Sequence, residues 1–182
     1  MEHKGTQTLE TKRLILRRFE EGDLDALYAN WAGDERTTRF LTWPTYRTPE
    51  DGREVLDEWI ASYADPSFYQ WAIVLRELGE PIGSISVVGE FPEVCGVEIG
   101  YCIGPTWWGQ GIVSEALSAV LDYFFETVGV LRVQAKHDVN NPASGGVMRH
   151  CGMRYEGTLR GADRNNQGIV DTCVYGMLAS DR

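Results

Sequence analysis

The feature that most constrains this chain is a change of hydrophobic period across a glycine-rich break. Val97-Glu-Ile-Gly-Tyr-Cys-Ile103 reads as a strand, and from about Gly109 to Thr127 the residues Ala116, Leu117, Val120, Leu121, Phe124 and Phe125 fall at helical spacing. Between them lies Gly104-Pro-Thr-Trp-Trp-Gly-Gln-Gly111. Glycines at 109 and 111 let a backbone approach a ligand closely. The first N–H groups of the helix, with the positive end of its dipole, suit a phosphate. Two glycines at a helix start are more often a structural turn, so the motif alone is weak. Two rival phosphate schemes are absent. A P-loop needs Gly-Lys-Ser/Thr where Ile112-Val113-Ser114 follows, and the dinucleotide fingerprint needs a third glycine where Ser114 stands.

The rest of the chain fits an α/β plan. Residues 1–10 read as a lead-in and 11–180 as one domain, the size expected for 182 residues. Arg13 to Phe19 reads as a strand. A helix follows from Asp23, the expected N-cap, to Trp31, and a second opens at Thr48-Pro-Glu-Asp51. Strands at 70–75 and 81–88 form a hairpin, with 89–96 as an exposed loop. After the long helix come a strand at 130–136, a short helix from Asn141 to Gly152, and strands at 153–159 and 170–177. The order β-α-α-β-β-β-α-β-α-β-β requires a mixed sheet.

Composition narrows the function. A formal net charge of −10 argues against nucleic-acid binding, which needs a basic footprint; it fits a cationic small molecule or peptide, and solubility alone is the plainer reading. No apolar run approaches the length of a bilayer span, and the polar N-terminus is no signal peptide. Cys95, Cys102, Cys151 and Cys173 have no CxxC spacing and read as free thiols of a cytoplasmic protein. His137 and His150 have no metal-ligand partners, and no metal is expected.

Glu98-Ile-Gly-Tyr-Cys-Ile-Gly-Pro-Thr-Trp-Trp-Gly-Gln-Gly-Ile-Val-Ser-Glu-Ala resembles the acetyl-CoA motif of the GNAT superfamily of N-acetyltransferases, in its RimJ/RimL-like group. Asn141-Pro-Ala-Ser144, Arg149-His-Cys-Gly-Met153 and Tyr155-Glu-Gly-Thr-Leu-Arg160 resemble later motifs in the right order, so the likeness covers nearly the whole chain. Thr106 stands where the superfamily often has Gln or Arg, Met153 where Phe is usual, and Ile112 where Tyr is frequent.

The resemblance implies a single-domain fold with a mixed, mostly antiparallel central sheet of about seven strands, flanked by helices and splayed at the acetyl-CoA site. It implies acetyl-CoA as cosubstrate and a primary amine, on a protein N-terminus or a small molecule, as acceptor. Main-chain groups at Tyr101, Cys102 and Ile103 are then expected to pair with the pantetheine arm. Those of Trp108, Gly109, Gln110, Gly111, Ile112 and Val113 are expected to hold the pyrophosphate. Asn141 and Ser144 are placed near the pantetheine and the thioester sulfur.

Glu98 is the expected base for the attacking amine, directly or through water; its structural alternative is a salt-bridged strand residue. Ser144 is the expected proton donor to the leaving thiolate; alternatively it only helps build the first helical turn, as Asn141 as a cap would do. An N–H near Cys102 or Ile103 is the expected oxyanion donor. Cys102 itself reads as a small buried residue rather than a nucleophile.

The aromatic residues Tyr28, Trp31, Trp43, Tyr46 and Trp59 are core by ordinary expectation. In the family the segment that carries them covers the acceptor site, with Asp34 and Glu35 nearby to attract an amine. An exposed edge strand near the C-terminus suits a homodimer. A CoA-binding sensor without turnover is the main alternative, and retention of Glu98, Asn141 and Ser144 favours the enzyme.

Overall fold

The computed structural model describes residues 1–182. Its spine is one eight-stranded sheet of order β1-β2-β3-β4-β5-β6-β8-β7. The strands are β1 (Leu9–Glu10), β2 (Leu14–Arg17), β3 (Gln70–Leu75), β4 (Glu80–Phe91), β5 (Gly96–Ile103), β6 (Arg132–Asp138), β7 (Arg154–Asn165) and β8 (Gly168–Leu178). Every neighbouring pair is antiparallel except β5 and β6. The extra strand beyond the expected seven is β1. Two residues are too short to show a period, yet Leu9 and Glu10 pair with Leu16 and Ile15.

Alternation along the strands separates two cores. One face carries Leu14, Leu16, Trp71, Ile73, Val97 and Ile99 against α4 (Ile112–Asp122), whose Ala116, Leu117 and Val120 are fully buried. α5 (Pro142–His150) adds Met148 to the same core. The opposite face packs Ala72 and Val74 against Leu24 and Leu27 of α1 (Leu24–Leu27), Trp31 and Leu56. Leu56 belongs to α3 (Arg53–Ser62), and α2 (Glu35–Thr38) completes the helices of this side. No helix is long and apolar enough to cross a membrane.

Two expectations need correction. Asp23 does not cap α1 with its side chain. It lies buried in the preceding 3-10 turn, where it accepts the Glu20 N–H and pairs with Arg17 at 2.7 Å. An acid before a helix is ambiguous in sequence, because a guanidinium six residues upstream competes for it. The expected loop at 89–96 is shorter, with Pro92 to Cys95 as its turn: β4 runs to Phe91 and β5 starts at Gly96. Gly89 marks a β-bulge, with a register shift between Val87 and Gly89, and glycine in a strand reads the same way as glycine in a loop.

The bulge helps to open the site. Val88, the extra residue, faces Gly100, where an added Cβ would meet its Cγ1 at 2.8 Å. Bulges bend and twist the strand that carries them. At this level β5 leaves β6: their pairing covers Gly96 to Ile99 against Arg132 to Ala135 and then ends. From Lys136 to Asp138, β6 is paired to β8.

Candidate active site

The gap beyond Ile99 exposes one edge of β5. Gly104 N–H donates to the Ile82 carbonyl at 3.0 Å. Hydrogen-bonded and non-bonded pairs alternate along an antiparallel ladder. With Gly83 opposite Ile103 and Ser84 opposite Cys102, the main chain of Cys102 therefore points into β4, and those of Tyr101 and Ile103 point to the open edge. Cys102 thus departs from its expected part in holding the arm. Its thiol, on the opposite face, lies 3.4 Å from Ser84 Oγ, and burial pushes it up from the ordinary thiol range, away from nucleophile chemistry. The Ile103 carbonyl is already taken by the Trp108 indole N–H at 2.9 Å, which leaves its N–H as the free group.

The turn that follows has the backbone its glycines allow. Gly109 and Gly111 both have φ of 72°, a left-handed conformation disfavoured for other residues. Trp108, Gly109, Gln110 and Gly111 are exposed, while the side chains of Ile112 and Val113 are buried in the core. Only main-chain groups of the last two face outward. Gly111 is the N-cap of α4 and no side chain caps that helix, so its first N–H groups lack a protein acceptor. A Cβ at Gly109 would meet nothing within 4 Å. This is an open, anion-seeking helix start.

Across the gap stands the first turn of α5. Ser144 Oγ donates to the Tyr101 hydroxyl at 3.0 Å, and that hydroxyl donates to the Ser144 carbonyl at 3.0 Å. Burial raises the Tyr101 phenol, so it stays protonated. The role of the Tyr101 hydroxyl is not legible in sequence, because its partner Ser144 lies 43 positions away. Asn141 makes no side-chain capping bond, which removes the cap as a reason for it. His137 faces this side too, packed on Gly145 and with its ring 5.6 Å from that of Tyr175.

Glu98 lies on the other face of the sheet and is 8% exposed. Lys136 Nζ is 3.0 Å from its Oε1, and Gln134 Nε2 donates to its Oε2 at 2.8 Å. The salt-bridged arrangement is thus present. Lys136 stands between Glu98 and a small cleft of about 90 Å³ lined by Phe40, Thr42, Lys136, Asp138, Asp163 and Thr172 among others. A larger, polar cavity of about 470 Å³ lies beyond it, between Glu35, Arg39, Thr45, Asn166 and Gln167. The tip of the β7–β8 hairpin roofs this region: Asn166 Nδ2 donates to the carbonyls of Thr38 and Trp43, both at 2.8 Å. Trp31 is buried, and Trp43, Tyr46 and Trp59 pack on the second core. Asp34 is engaged by Arg36 at 2.6 Å, which holds its carboxyl below the usual range. No group of three or more His, Cys, Asp or Glu side chains is placed to hold a metal ion.

A sheet splayed beside a glycine-capped helix defines an acyl-CoA-type transferase fold, and comparison with known proteins places it. The family described as the acetyltransferase (GNAT) domain matches residues 13–154. YoaA of Bacillus subtilis, named an uncharacterized N-acetyltransferase, is 32% identical over 170 residues, covering 93% of this chain and 96% of that protein. The ribosomal-protein-serine acetyltransferase of Escherichia coli is 29% identical over 139 residues, 76% of each chain. A solved GNAT-family acetyltransferase from Bacillus anthracis superposes with a TM-score of 0.84 at 25% identity, covering 96% of this chain and 99% of that one. The chain belongs to the GNAT acetyltransferase family, with RimJ/RimL-like relatives, and is an acetyl-CoA-dependent N-acetyltransferase.

Proposed function

We propose that this enzyme acetylates a primary amine, on a protein N-terminus or a small molecule, by direct attack on the acetyl-CoA thioester. The observation that carries this reading is the end of β5–β6 pairing at Ile99, which frees one edge of β5 close to Glu98 and to Lys136, a residue that lines the small cleft. The pantetheine arm adds to the edge at Tyr101 and Ile103. The pyrophosphate sits on the N–H groups from Trp108 to Val113. The cofactor and acceptor then approach from opposite faces and meet at the gap.

Within this reading Glu98 accepts the amine's proton. Because Lys136 separates its carboxylate from the cleft, transfer runs through an intervening water rather than by direct contact. Ser144 Oγ turns from the Tyr101 hydroxyl and gives its proton to the leaving thiolate, and it recovers a proton from solvent, to which Glu98 returns the one taken from the amine. Four unpaired cysteines fit a reducing cytoplasm.

Thiol release from acetyl-CoA, followed over a panel of amines and N-terminal peptides, tests the reading. Turnover with at least one amine class is expected. Tight CoA binding without turnover across the panel would replace it with a sensor. Gly111→Trp is expected to weaken acetyl-CoA binding at least about tenfold by calorimetry. The change imposes about 1–2 kcal/mol of backbone strain and fills the space before α4. Equal affinity in the folded variant rejects the pyrophosphate placement.

A further inference from the structure

We propose that Arg13, anchored by Glu115, is a positioning residue that orients the Gln110–Gly111 peptide toward the cofactor's pyrophosphate. This inference rests on the placement of the pyrophosphate proposed above and adds a residue outside the glycine turn. Arg13 Nη1 donates to the Gln110 carbonyl at 2.9 Å. In a trans peptide the carbonyl of one residue and the N–H of the next point in opposite directions. Holding the Gln110 oxygen toward Arg13 therefore turns the Gly111 N–H outward, to the exposed side of the turn.

The guanidinium is itself held. Its Nε donates to Glu115 Oε2 at 2.7 Å, and the Arg13 N–H donates to Oε1 at 2.8 Å. Thr11 Oγ1 donates to the same Oε1 at 2.6 Å. Glu115 lies in the first turn of α4, so the carboxylate that aims Arg13 rides on the helix that receives the phosphate. Burial opposes its ionisation, and the bonds from Thr11 and Arg13 outweigh that, holding the carboxyl below its usual range.

The orientation needs such a clamp. The Gln110–Gly111 peptide ends at Gly111, whose φ of 72° is left-handed, and glycine visits positive and negative φ almost equally. A flipped peptide would present a carbonyl oxygen, in place of an N–H, to an anion. Gln110 Nε2, bonded to the Thr106 carbonyl at 2.9 Å, restrains the side chain but not the direction of this peptide. Glu115 alone would tie the β1–β2 turn to α4; the bond to the Gln110 carbonyl is what reaches the phosphate turn.

Pantetheine, which lacks the pyrophosphate, separates positioning from general damage. Dissociation constants for CoA and pantetheine are measured by titration on the full chain, with melting curves to verify folding. Arg13→Ala and Glu115→Gln are each expected to weaken CoA about tenfold and to leave pantetheine within about twofold. Arg13→Lys keeps the charge but lacks the fork that bonds both partners, and is expected to lose CoA affinity as well. Equal weakening of both ligands overturns the proposal in favour of a structural tie. Tighter CoA binding by Glu115→Gln overturns it in favour of a point charge on the phosphate. If wild type prefers CoA and the variants keep that preference unchanged, the clamp fails and the placement stands. If wild type binds both ligands equally, the placement itself fails and takes the clamp with it.

Discussion

Glu98→Gln is expected to lower kcat about a hundredfold at neutral pH, with acetyl-CoA affinity unchanged. The change is isosteric, and its position on the face opposite the cofactor edge leaves the turn at 109–111 untouched. The new amide's oxygen can still accept from Gln134, and Lys136 retains Asp163 at 3.7 Å and can turn toward solvent, being 31% exposed. Glu98 is buried, so removing its charge from beside Lys136 costs stability, up to about 3 kcal/mol, and a melting curve verifies that the variant is folded where the kinetic effect is read. The pH dependence separates the two roles. A protein N-terminus has a pKa of about 8, so at higher pH the acceptor is already neutral and needs no base. The gap between variant and wild type should therefore close as pH rises. An unchanged kcat at every pH rejects Glu98 as the base and leaves it as a strut between β5 and β6.

The largest stability effect is expected at Gly104. Its Cα lies against the π-helical turn Tyr28–Ala32, where an added Cβ would overlap the Asn30 carbonyl oxygen and meet the Trp107 ring at 2.8 Å. Neither neighbour can move freely. Asn30 is held by its side chain, which donates to the Pro81 carbonyl at 2.8 Å, and Trp107 packs on the main core. Gly104→Ala is thus expected to cost about 3 kcal/mol, at the upper end for overpacking. At about 2–4 °C per kcal/mol, the melting temperature should fall by roughly 6–12 °C. Gly22→Ala is the control: nothing lies within 4 Å of the added Cβ, and its effect should stay within about 0.5 kcal/mol. Similar melting temperatures for the two variants would show that the turn at Tyr28–Ala32 yields.

Much of the fold was legible where a long period or a local turn carried it. The helix expected over about 109–127 is present as α4 and a π-helical turn over Tyr123–Val128, and the strand at 97–103, the β3–β4 hairpin and the final two strands lie where expected. Legibility failed where a residue answers to a distant partner. Asp23 reads as a cap until Arg17 is beside it. Gly89 reads as a loop until β5 is paired across it. Arg13 and Glu115 are 102 positions apart and carry no shared pattern. The clasp of Asn166 on Thr38 and Trp43 is equally silent in sequence.

By itself the sequence determined the backbone of the turn at 109–111, because left-handed φ at Gly109 and Gly111 and an uncapped helix start are local properties of a few residues. It also determined the family, through several separated motifs in order. Tertiary structure alone decided which main-chain groups of β5 are free. That depends on the phase of the ladder with β4 and on where pairing with β6 ends. It likewise decided that Glu98 meets Lys136 and that Tyr101 meets Ser144. Those contacts are set by strand register and by the seating of α5, and neither is encoded within one segment of chain.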